Sequence, residues 1–565
     1  MLLALDTESA GLGERIHRLG ILTSNDDWLW LSLEQARTDT RWKKLIEQAE
    51  VVVGHNIIKY DARIIKRDLN FDLPREKVHD TLFMAAMHVP GDEPKDLLSL
   101  SMKFLQYDGQ KDAVLHEAMG DDAWNLSKTT DQMLEDYCQQ QLLNTLCLFV
   151  YFRKSTPQGP YDTERFLNWA LAKMEARGVL VSRGKLEESR AALGSRIDEL
   201  RSELYTLADG WQSSLPQQYR GMFGVDFNPN SPSQIGEILH ARGFDLPENA
   251  KHVWSTSEEN LTKLCGGDPF VMHLLELREA AKLKGTYVDG LLKCIAEDGC
   301  VHPNFSSTVA RTGRLSCSDP NLQNVAGISK SAALIREAFR SRKFYNTYSI
   351  DYAQIEFRLA VFLSQDPIGL DEYNRGLDFH TATAAAIFNV PYEQVTKAQR
   401  FAAKTINFAI IYGAGADKIA LMLNTPASKA ASMLDKYAQH YAGMWEYKKR
   451  AMWRASRTHA VLLPHGRVLH IDKDDAYKAF NYEIQGGASE ILKMAMVRID
   501  ELLADAWTHM LLQIHDELVV EQHIAENYLP DICHIMRTIS NVCPLDVEVG
   551  RWEGSWANQK VEAPF

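Results

Sequence analysis

The sequence lacks the features that mark membrane, secreted and disulfide-stabilised proteins. No stretch reaches the roughly 18 uncharged apolar residues that a membrane-spanning helix needs. The 8 cysteines include no Cys-x-x-Cys pair, which argues against a zinc site or a disulfide framework. No basic leader precedes Asp6, so the N-terminus does not resemble a signal peptide. These absences favour a protein of a reducing cytoplasm, without a membrane partner.

The sequence also lacks an excess of positive charge, since its formal net charge is −13. Nucleic-acid-binding surfaces are usually basic because phosphate binding is largely cationic. Electrostatic fields act over about a Debye length, roughly 10 Å at 0.1 M salt, so local clusters matter more than the total charge. Residues 330–343 carry five basic side chains against one acidic, and Lys397, Arg400 and Lys404 form a second basic run. A solvated helical face would explain either run alone, but the net charge does not exclude a nucleic-acid partner.

Neither an internal repeat nor a low-complexity linker divides the 565 residues. This length exceeds what one core usually supports, and 45% hydrophobic and 24% charged residues are typical of globular proteins. The first part of the chain alternates short apolar runs with helical patterns, which predicts an α/β unit. Helical periodicity follows from Tyr161, and the last third mixes helices with strand-like segments. We therefore predict a multidomain α/β and α+β protein whose domains pack together.

Three acidic residues stand at the ends of strongly apolar segments. Asp351 lies where the strand-like TYSIDY runs into the helical AQIEFRLAVFL, while Asp516 and Glu517 lie between LLQI and LVVE, in the turn region of a predicted hairpin. Two carboxylates about 4 Å apart repel by roughly 4 kcal/mol at an effective dielectric constant near 20. A pair of Mg²⁺ ions would remove that cost and could activate a hydroxyl and stabilise a leaving pyrophosphate. Taken singly, each motif is more often an ordinary turn or strand end.

The segment QRFAAKTINFAIIYG repeats a functional side chain every four residues. Arg400, Lys404, Phe408 and Tyr412 would form one slowly winding stripe on a helix, because each such step rotates by about 40°. The order of two cations and two aromatic rings suits a nucleoside triphosphate, with phosphates at the basic end and the base on a ring. The alternative is a helix with aromatic residues in the core and cations on the surface.

The motifs DYAQIE, RxxxKxxxFxxxYG and HDE, in this order, resemble those of family A DNA polymerases, the bacterial DNA polymerase I type. TGRLSCSDPNLQN, FHTATAAAIF and NYEIQGGASEILK are similar to the template-primer segment, fingers helix and primer-side helix of that family. STSEENL and LREAAKLKGTYVDGLL resemble its thumb, and the likeness covers residues 160 to 555. The resemblance implies a nucleotidyltransferase that adds dNTPs to a primer 3′ end in DNA replication, with primer-template DNA and dNTPs as partners.

The resemblance also implies a domain order, namely an RNase H-like exonuclease domain followed by a right-hand polymerase domain. We expect an exonuclease-like domain at residues 1–155, the thumb and start of the palm at 156–340, the first palm motif at 341–370, the fingers at 371–470 and the second palm motif at 471–565. We expect no separate 5′-nuclease domain ahead of the first domain. This favours a compact phage-type enzyme, a monomer in the cytoplasm of a bacterium or a phage-infected cell.

The catalytic roles that the resemblance implies are these. Asp351 and Asp516 would hold two Mg²⁺ ions, with Glu517 in support. Arg400 and Lys404 would grip the triphosphate, and Lys404 would serve as general acid for the leaving pyrophosphate.

The remaining roles concern the nucleotide and the DNA. His380 would contact phosphate, Phe408 would pack on the sugar and base, and Tyr412 would stack near the templating base. Glu356 matches the family's steric gate against a ribose 2′-hydroxyl. The expected contacts to the template, the primer or the minor groove are Arg314, Asn321, Gln323, Asn324, Asn481, Gln485 and His515. Minor-groove contacts of this kind test the shape of a base pair without reading its sequence.

The N-terminal motifs resemble the DEDD 3′–5′ exonuclease domain of the same family. Asp6 and Glu8 lie two apart on a predicted strand and so share one face. With Asp61 of GHNIIKYD they would hold Mg²⁺ or Mn²⁺, and Tyr137 would orient the attacking water. Gln141 stands where the family has its fourth acid, and an amide contributes no charge to a metal site. We therefore expect an impaired exonuclease, the alternative being a domain that only braces the polymerase.

Three other functions remain open from the sequence. A related nucleotidyltransferase, either an RNA polymerase or a reverse transcriptase, is disfavoured by Glu356. A DNA-binding scaffold without catalysis is disfavoured because Asp351, Asp516, Arg400 and Lys404 are all present. A protein that is chiefly a nuclease is disfavoured by Gln141.

Overall fold

The computed structural model describes residues 1–9, 14–119, 129–208, 227–248, 253–265, 267–325 and 330–562. The side chains of residues 330–332, at the start of the first basic run, lie outside the description. Within the described ranges, helices surround two five-stranded sheets, one toward each end of the chain, which confirms the predicted mixed α/β architecture. No described helix is both long enough and apolar enough to cross a membrane.

The N-terminal sheet has the order β3-β2-β1-β4-β5. Its strands are β1 (Leu2–Glu8), β2 (Arg18–Thr23), β3 (Trp28–Ser32), β4 (Val51–Gly54) and β5 (Val78–Asp80). The first three pair antiparallel, whereas β1, β4 and β5 run parallel. Strand β1 is therefore central, and its near-continuous burial matches the apolar run LLALD.

Seven helices accompany this sheet in the described residues. They are α1 (Leu33–Thr38), α2 (Arg41–Gln48), α3 (Asp61–Leu69), α4 (Thr81–Ala85), α5 (Leu97–Leu105), α6 (Gln110–Met119) and α7 (Asp131–Phe152). Leu3 and Leu5 of β1 belong to the main core of this region, whereas Ala4 packs with Leu142 and Leu146 of α7. Because side chains alternate along a strand, even-numbered residues of β1 face α7.

A mainly helical segment follows. It comprises α8 (Gln158–Arg177), β6 (Val179–Leu180), α9 (Arg183–Leu207), α10 (Pro232–Ala241), α11 (Glu258–Cys265), α12 (Pro269–Lys282), a π-helical turn (Leu283–Asp289), α13 (Gly290–Cys294), β7 (Cys300–Val301), β8 (Asn304–Ser306), β9 (Ser316–Ser318) and α14 (Lys330–Arg336). Strand β6 pairs with β7, and β8 pairs with β9. The helical periodicity predicted from Tyr161 onward is confirmed.

The C-terminal part begins with β10 (Tyr345–Tyr352) and continues mostly as helices. They are α15 (Ile355–Ser364), α16 (Pro367–Asn374), α17 (Phe379–Phe388), a 3₁₀ turn (Tyr392–Gln394), α18 (Lys397–Ile411), α19 (Ala416–Met422), α20 (Ala427–His440) and α21 (Ala442–Thr458). The hairpin of β11 (Ala460–Leu462) and β12 (Val468–His470), a 3₁₀ segment (Lys473–Lys478) and α22 (Ala479–Leu502) follow.

The second sheet combines β10 with four later strands, in the order β13-β14-β10-β15-β16. Its last four strands in sequence are β13 (His509–Ile514), β14 (Glu517–His523), β15 (Val547–Ser555) and β16 (Asn558–Val561), with α23 (Leu529–Thr538) between β14 and β15. All neighbouring strands run antiparallel. The predicted hairpin is confirmed, and His515 takes the positive φ of 56° that its two-residue turn needs.

Ion pairs join the two halves, as expected for domains that pack together. Lys59, in the turn before α3, pairs with Glu175 of α8 at 2.6 Å, and Arg75 pairs with Asp500 of α22 at 2.7 Å.

Helix α8 is further tied to α22 by a buried cluster in which Glu164 contacts Lys493 and Arg467. Burial alone would raise the pKa of Glu164, but the charges of Lys493 and Arg467 lower it to about 2. Glu164 is therefore ionised at neutral pH, and the cluster fixes α8 between the two sheets.

Candidate active sites

The three acids of the C-terminal sheet meet at one place. Strand β10 pairs with β14 so that Asp351 lies opposite Glu517, and the amide of Tyr352 donates to the carbonyl of Asp516 at 3.3 Å. Asp516 directly precedes Glu517 in the chain, so its side chain belongs to the same region of the sheet as that of Asp351. The two sequence motifs, 165 positions apart in the chain, thus form one acidic cluster.

This cluster resists full ionisation. Partial burial, followed by the charges of Asp516 and Glu517, raises the pKa of Asp351 to about 8. Burial likewise raises the pKa of Asp516 and of Glu517. Glu517 Oε1 is buried and has no hydrogen-bond partner in the described part of the chain. Carboxylate oxygens that lack compensating donors are the ligands that Mg²⁺ prefers, so the cluster fits hard divalent cations.

Helix α18 carries the predicted stripe on its open side. A capping box of Thr396 and Gln399 begins the helix, and its buried residues include Ala403, Ile406 and Ile410. Lys404 is exposed, with Nζ 5.9 Å from the centre of the Phe408 ring. The Phe408 and Tyr412 rings stack with centres 6.1 Å apart and planes at 25°. The aromatic end and the lysine therefore form one continuous surface.

Glu356 connects this stripe to the acidic cluster. Its side chain is 8% exposed, accepts a hydrogen bond from Tyr412 Oη at 3.3 Å and forms an ion pair with Arg314. Burial raises the pKa of Glu356, and the nearby charge of Asp516 raises it further. The acids, Glu356 and the aromatic end of α18 consequently line one site.

Two predicted phosphate-binding residues have partners that the sequence did not indicate. Arg400 makes two hydrogen bonds of 2.9 Å to the carboxylate of Asp378, which caps α17. His380 is buried beside Phe408, and its Nδ1 contacts Asn407 Nδ2 at 2.9 Å. Burial lowers the pKa of His380 to about 4, so the ring is neutral at neutral pH. Their roles toward phosphate stay predictions.

The residues expected to contact DNA lie partly around the β13–β14 turn. Gln323 Nε2 donates to Gln513 Oε1 at 2.8 Å, and Gln513 Nε2 donates to the carbonyl of His515 at 2.5 Å. Asn481 and Gln485 stand four residues apart on α22 and so share a face. Sequence analysis missed Gln513, although a polar residue inside the apolar strand MLLQI was a signal.

Asn321 and Asn324 follow β9 in a loop, where the amide of Asn324 donates to Asn321 Oδ1 at 3.3 Å. Arg314, which precedes β9, forms an ion pair with Glu356. Burial lowers the pKa of His515, and the nearby charge of Arg314 lowers it further. The contacts of these residues with DNA stay predictions.

A second acidic site lies in the N-terminal sheet. The amide and the Oγ1 of Thr7 donate to Asp61 Oδ1 at 2.7 and 2.6 Å, which holds α3 against β1. Ligand atoms of Asp6, Glu8 and Cys138 lie within 4.8 Å of one another. Burial raises the pKa of Asp6, Glu8 and Asp61, and Glu8 Oε1 is buried without a partner among the described residues. These groups fit a divalent cation.

A cavity of about 390 Å³ opens at this site, and its lining includes Asp6, Asp61, Tyr137, Gln141 and Asp112. The structure therefore brings all four predicted exonuclease residues to one region. Gln141 Nε2 donates to Asp112 Oδ1 at 2.8 Å. Sequence analysis missed Asp112, because no motif links α6 to the β1 and α7 residues.

Comparisons with known proteins agree with this geometry. The family model for DNA polymerase family A matches residues 184–558. DNA polymerase I of Pseudomonas aeruginosa is 35% identical over 406 residues, covering 68% of this chain and 42% of that protein. The thermostable DNA polymerase I of Thermus aquaticus is 33% identical over 417 residues, covering 71% and 48% respectively, so the matches span less than half of either relative. The solved POL domain of Pol1 from M. smegmatis, in complex with DNA primer-template and dNTP, aligns with a TM-score of 0.80 at 26% identity, covering 98% of this chain and 95% of that chain.

Proposed function

Because the chain belongs to DNA polymerase family A, we propose that it is a template-directed DNA polymerase that adds dNTPs to a primer 3′ end in DNA replication. The observation that carries this proposal is the hydrogen bond from Tyr412 to Glu356 at 3.3 Å, because it joins the α18 stripe to the acidic cluster. This reaction requires metal-binding acids and a triphosphate-binding helix that face one another, and the hydrogen bond supports such an arrangement.

We propose a right-hand arrangement for the polymerase part. The second sheet would be the palm, at residues 341–370 and 471–565, with the fingers at 371–470 and the thumb within 156–340. The alignment with the Pol1 POL domain, at a TM-score of 0.80, supports this division. That relative binds DNA primer-template and dNTP, which supports the same partners for this chain.

The chemistry follows from the acids and Lys404. Asp351 and Asp516 would hold Mg²⁺, which supplies the charge that activates the primer 3′-hydroxyl and stabilises the leaving pyrophosphate. The 3′-oxygen bonds to the α-phosphorus as the bond to the bridging oxygen of pyrophosphate breaks, and the proton of the 3′-hydroxyl passes to solvent water. Lys404 Nζ, exposed at the basic end of the stripe, gives a proton to the departing pyrophosphate. Glu517 supports the acidic pair from β14.

Nucleotide selection would fall to Glu356 and the two rings of α18. Phe408 and Tyr412 offer stacked faces for the sugar and base. Glu356 is held in place by both Tyr412 and Arg314, so its carboxylate cannot readily move aside for a ribose 2′-hydroxyl. This arrangement favours dNTPs and disfavours an RNA polymerase.

Primer extension tests the proposal directly. A primed DNA template, Mg²⁺ and four dNTPs should give full-length product, whereas four NTPs at equal concentration should give little. A primed RNA template in a parallel reaction distinguishes a reverse transcriptase. Efficient extension with NTPs would instead indicate an RNA polymerase, and tight duplex binding with no incorporation would indicate a scaffold.

We further propose a 3′–5′ exonuclease for the N-terminal domain, which would be RNase H-like. The buried Oε1 of Glu8, next to Asp6, has no hydrogen-bond partner among the described residues. It supports this proposal because a bound cation would compensate the cost of burying such an oxygen. Labelled single-stranded DNA with Mg²⁺ or Mn²⁺ should release mononucleotides from its 3′ end. Asp6→Asn should abolish that release and leave primer extension unchanged; equal release by both proteins would point to a contaminating nuclease.

A further inference from the structure

The N-terminal site has an acid that the family pattern does not supply. Gln141, on α7, stands where a fourth carboxylate is expected, and its side chain is buried. Asp112, on α6, lines the same cavity as Asp6, Asp61 and Tyr137. Helix α7 thus lacks the expected carboxylate, whereas α6 contributes Asp112 to the same cavity.

Asp112 is buried, and its partners among the described residues are uncharged. Its residue exposure is 3%, and its Oδ1 and Oδ2 accept single hydrogen bonds of 2.8 Å from Gln141 Nε2 and Tyr107 Oη, respectively. A carboxylate has about four lone-pair sites, so two remain for further ligands.

Tyr137 lies on the wall of the same cavity as Asp112. Asp6 and Asp61 line that cavity as well. The buried Oε1 of Glu8, which has no hydrogen-bond partner among the described residues, is an independent observation that points to a cation beside Asp6. The acids therefore converge from β1, α3 and α6.

We propose that Asp112 is the fourth metal-ligating carboxylate of the N-terminal site, replacing the acid that residue 141 does not provide. The inference rests on the proposed exonuclease function and deepens it. Gln141 becomes a positioning residue, because its amide fixes one oxygen of Asp112 and leaves the other lone pairs available. The exonuclease is then expected to be active rather than impaired.

The reaction served by these residues is hydrolysis of the last phosphodiester of a DNA strand. A water oxygen bonds to the terminal phosphorus while the bond from that phosphorus to the preceding 3′-oxygen breaks. One water proton ends on the 3′-oxygen, and the products are a shortened strand with a 3′-hydroxyl and a 5′-nucleotide. Tyr137 lines the same cavity as Asp6, Asp61 and Asp112, where its hydroxyl can orient the water.

The test uses the full chain with Asp516→Asn throughout, so that the polymerase site contributes little metal binding. Asp112→Asn is nearly isosteric and removes only the charge. Mn²⁺ binding is followed by electron paramagnetic resonance, and release of mononucleotides from labelled single-stranded DNA is followed in parallel. We expect Mn²⁺ affinity to fall at least about 10-fold and the release rate at least about 100-fold, since outer partners of metal ligands alone are worth 10–100-fold.

Glu117→Gln is the matched control, because Glu117 is an exposed acid on the same helix. It should leave both measurements within about twofold, as surface substitutions usually do. The double variant Asp112→Asn, Gln141→Asp returns a carboxylate to α7 and should recover at least about 10-fold of the lost rate, a rescue that a structural role would not produce.

The possible outcomes distinguish the ligand role of Asp112 from the exonuclease function on which that role rests. If Asp112→Asn keeps the Mn²⁺ affinity and the rate while Asp6→Asn loses both, Asp112 is no ligand and the exonuclease proposal stands. If Asp112→Asn slows release but binds Mn²⁺ normally, the ligand role is likewise overturned. If the parent protein neither releases nucleotides nor binds Mn²⁺ through Asp6, the exonuclease proposal itself fails.

Discussion

Asp516→Asn is expected to lower the rate of nucleotide incorporation by about 1,000-fold or more, equivalent to roughly 4 kcal/mol of transition-state stabilisation. Asp351 lies opposite Glu517 in the β10–β14 pairing and Asp516 directly precedes Glu517, so the substitution removes one of the two carboxylates proposed to hold Mg²⁺. Single-turnover incorporation of one dNTP at saturating DNA measures this step without the contribution of product release.

The matched control is Asp505→Asn, an exposed acid in the loop that follows α22. It should incorporate nucleotides within about twofold of the parent rate. Asp516→Asn should not lower the melting temperature in EDTA, since it relieves repulsion among carboxyl groups that burial already disfavours in the charged form. An incorporation rate within tenfold of the parent at saturating Mg²⁺ would contradict the assignment of Asp516 as a metal ligand.

The features predicted well from the sequence are those confined to one element. The stripe of α18 follows from four-residue spacing on a helix, and the position of Asp516 follows from two apolar strands around a short turn. Asp6 and Glu8 share a face because strand alternation requires it. In each case the period of the local structure determines which side chains lie together.

The features that the sequence did not reveal depend on how separate elements meet. Arg400 is hydrogen-bonded to Asp378, the N-cap of α17, and His380 contacts Asn407 on α18. Neither pairing has a local spacing, because α17 and α18 are brought together only by packing. Asp112 was missed for the same reason, since α6 reaches the N-terminal site by folding over α7 and carries no motif of its own.

These tertiary contacts affect how α18 would bind a triphosphate. With Arg400 bound to Asp378, Lys404 is the exposed cation of the stripe next to the aromatic rings. A triphosphate that reaches α18 in this arrangement would therefore meet Lys404 first, and recruiting Arg400 would require exchanging Asp378 for phosphate.

Lys404→Ala is accordingly expected to reduce kcat by about 100- to 10,000-fold, the range over which general acids act, while the Kd for primer-template DNA changes by less than about threefold. The reason is that Nζ lies over Phe408 at the nucleotide surface, 5.9 Å from the ring centre, and not among the residues expected to contact the duplex. Rapid-quench incorporation gives the rate, and fluorescence anisotropy with labelled duplex gives the Kd.

Two further variants separate proton donation from charge. Lys397→Ala removes an exposed lysine from the first turn of the same helix and should leave kcat within about twofold. Lys404→Arg keeps the positive charge, but a guanidinium is effectively always protonated and is a poor acid, so it should restore nucleotide affinity more than rate. If Lys404→Arg restores the full rate, Lys404 acts by charge alone; if Lys404→Ala weakens duplex binding as much as it slows incorporation, Lys404 belongs to the DNA-binding surface.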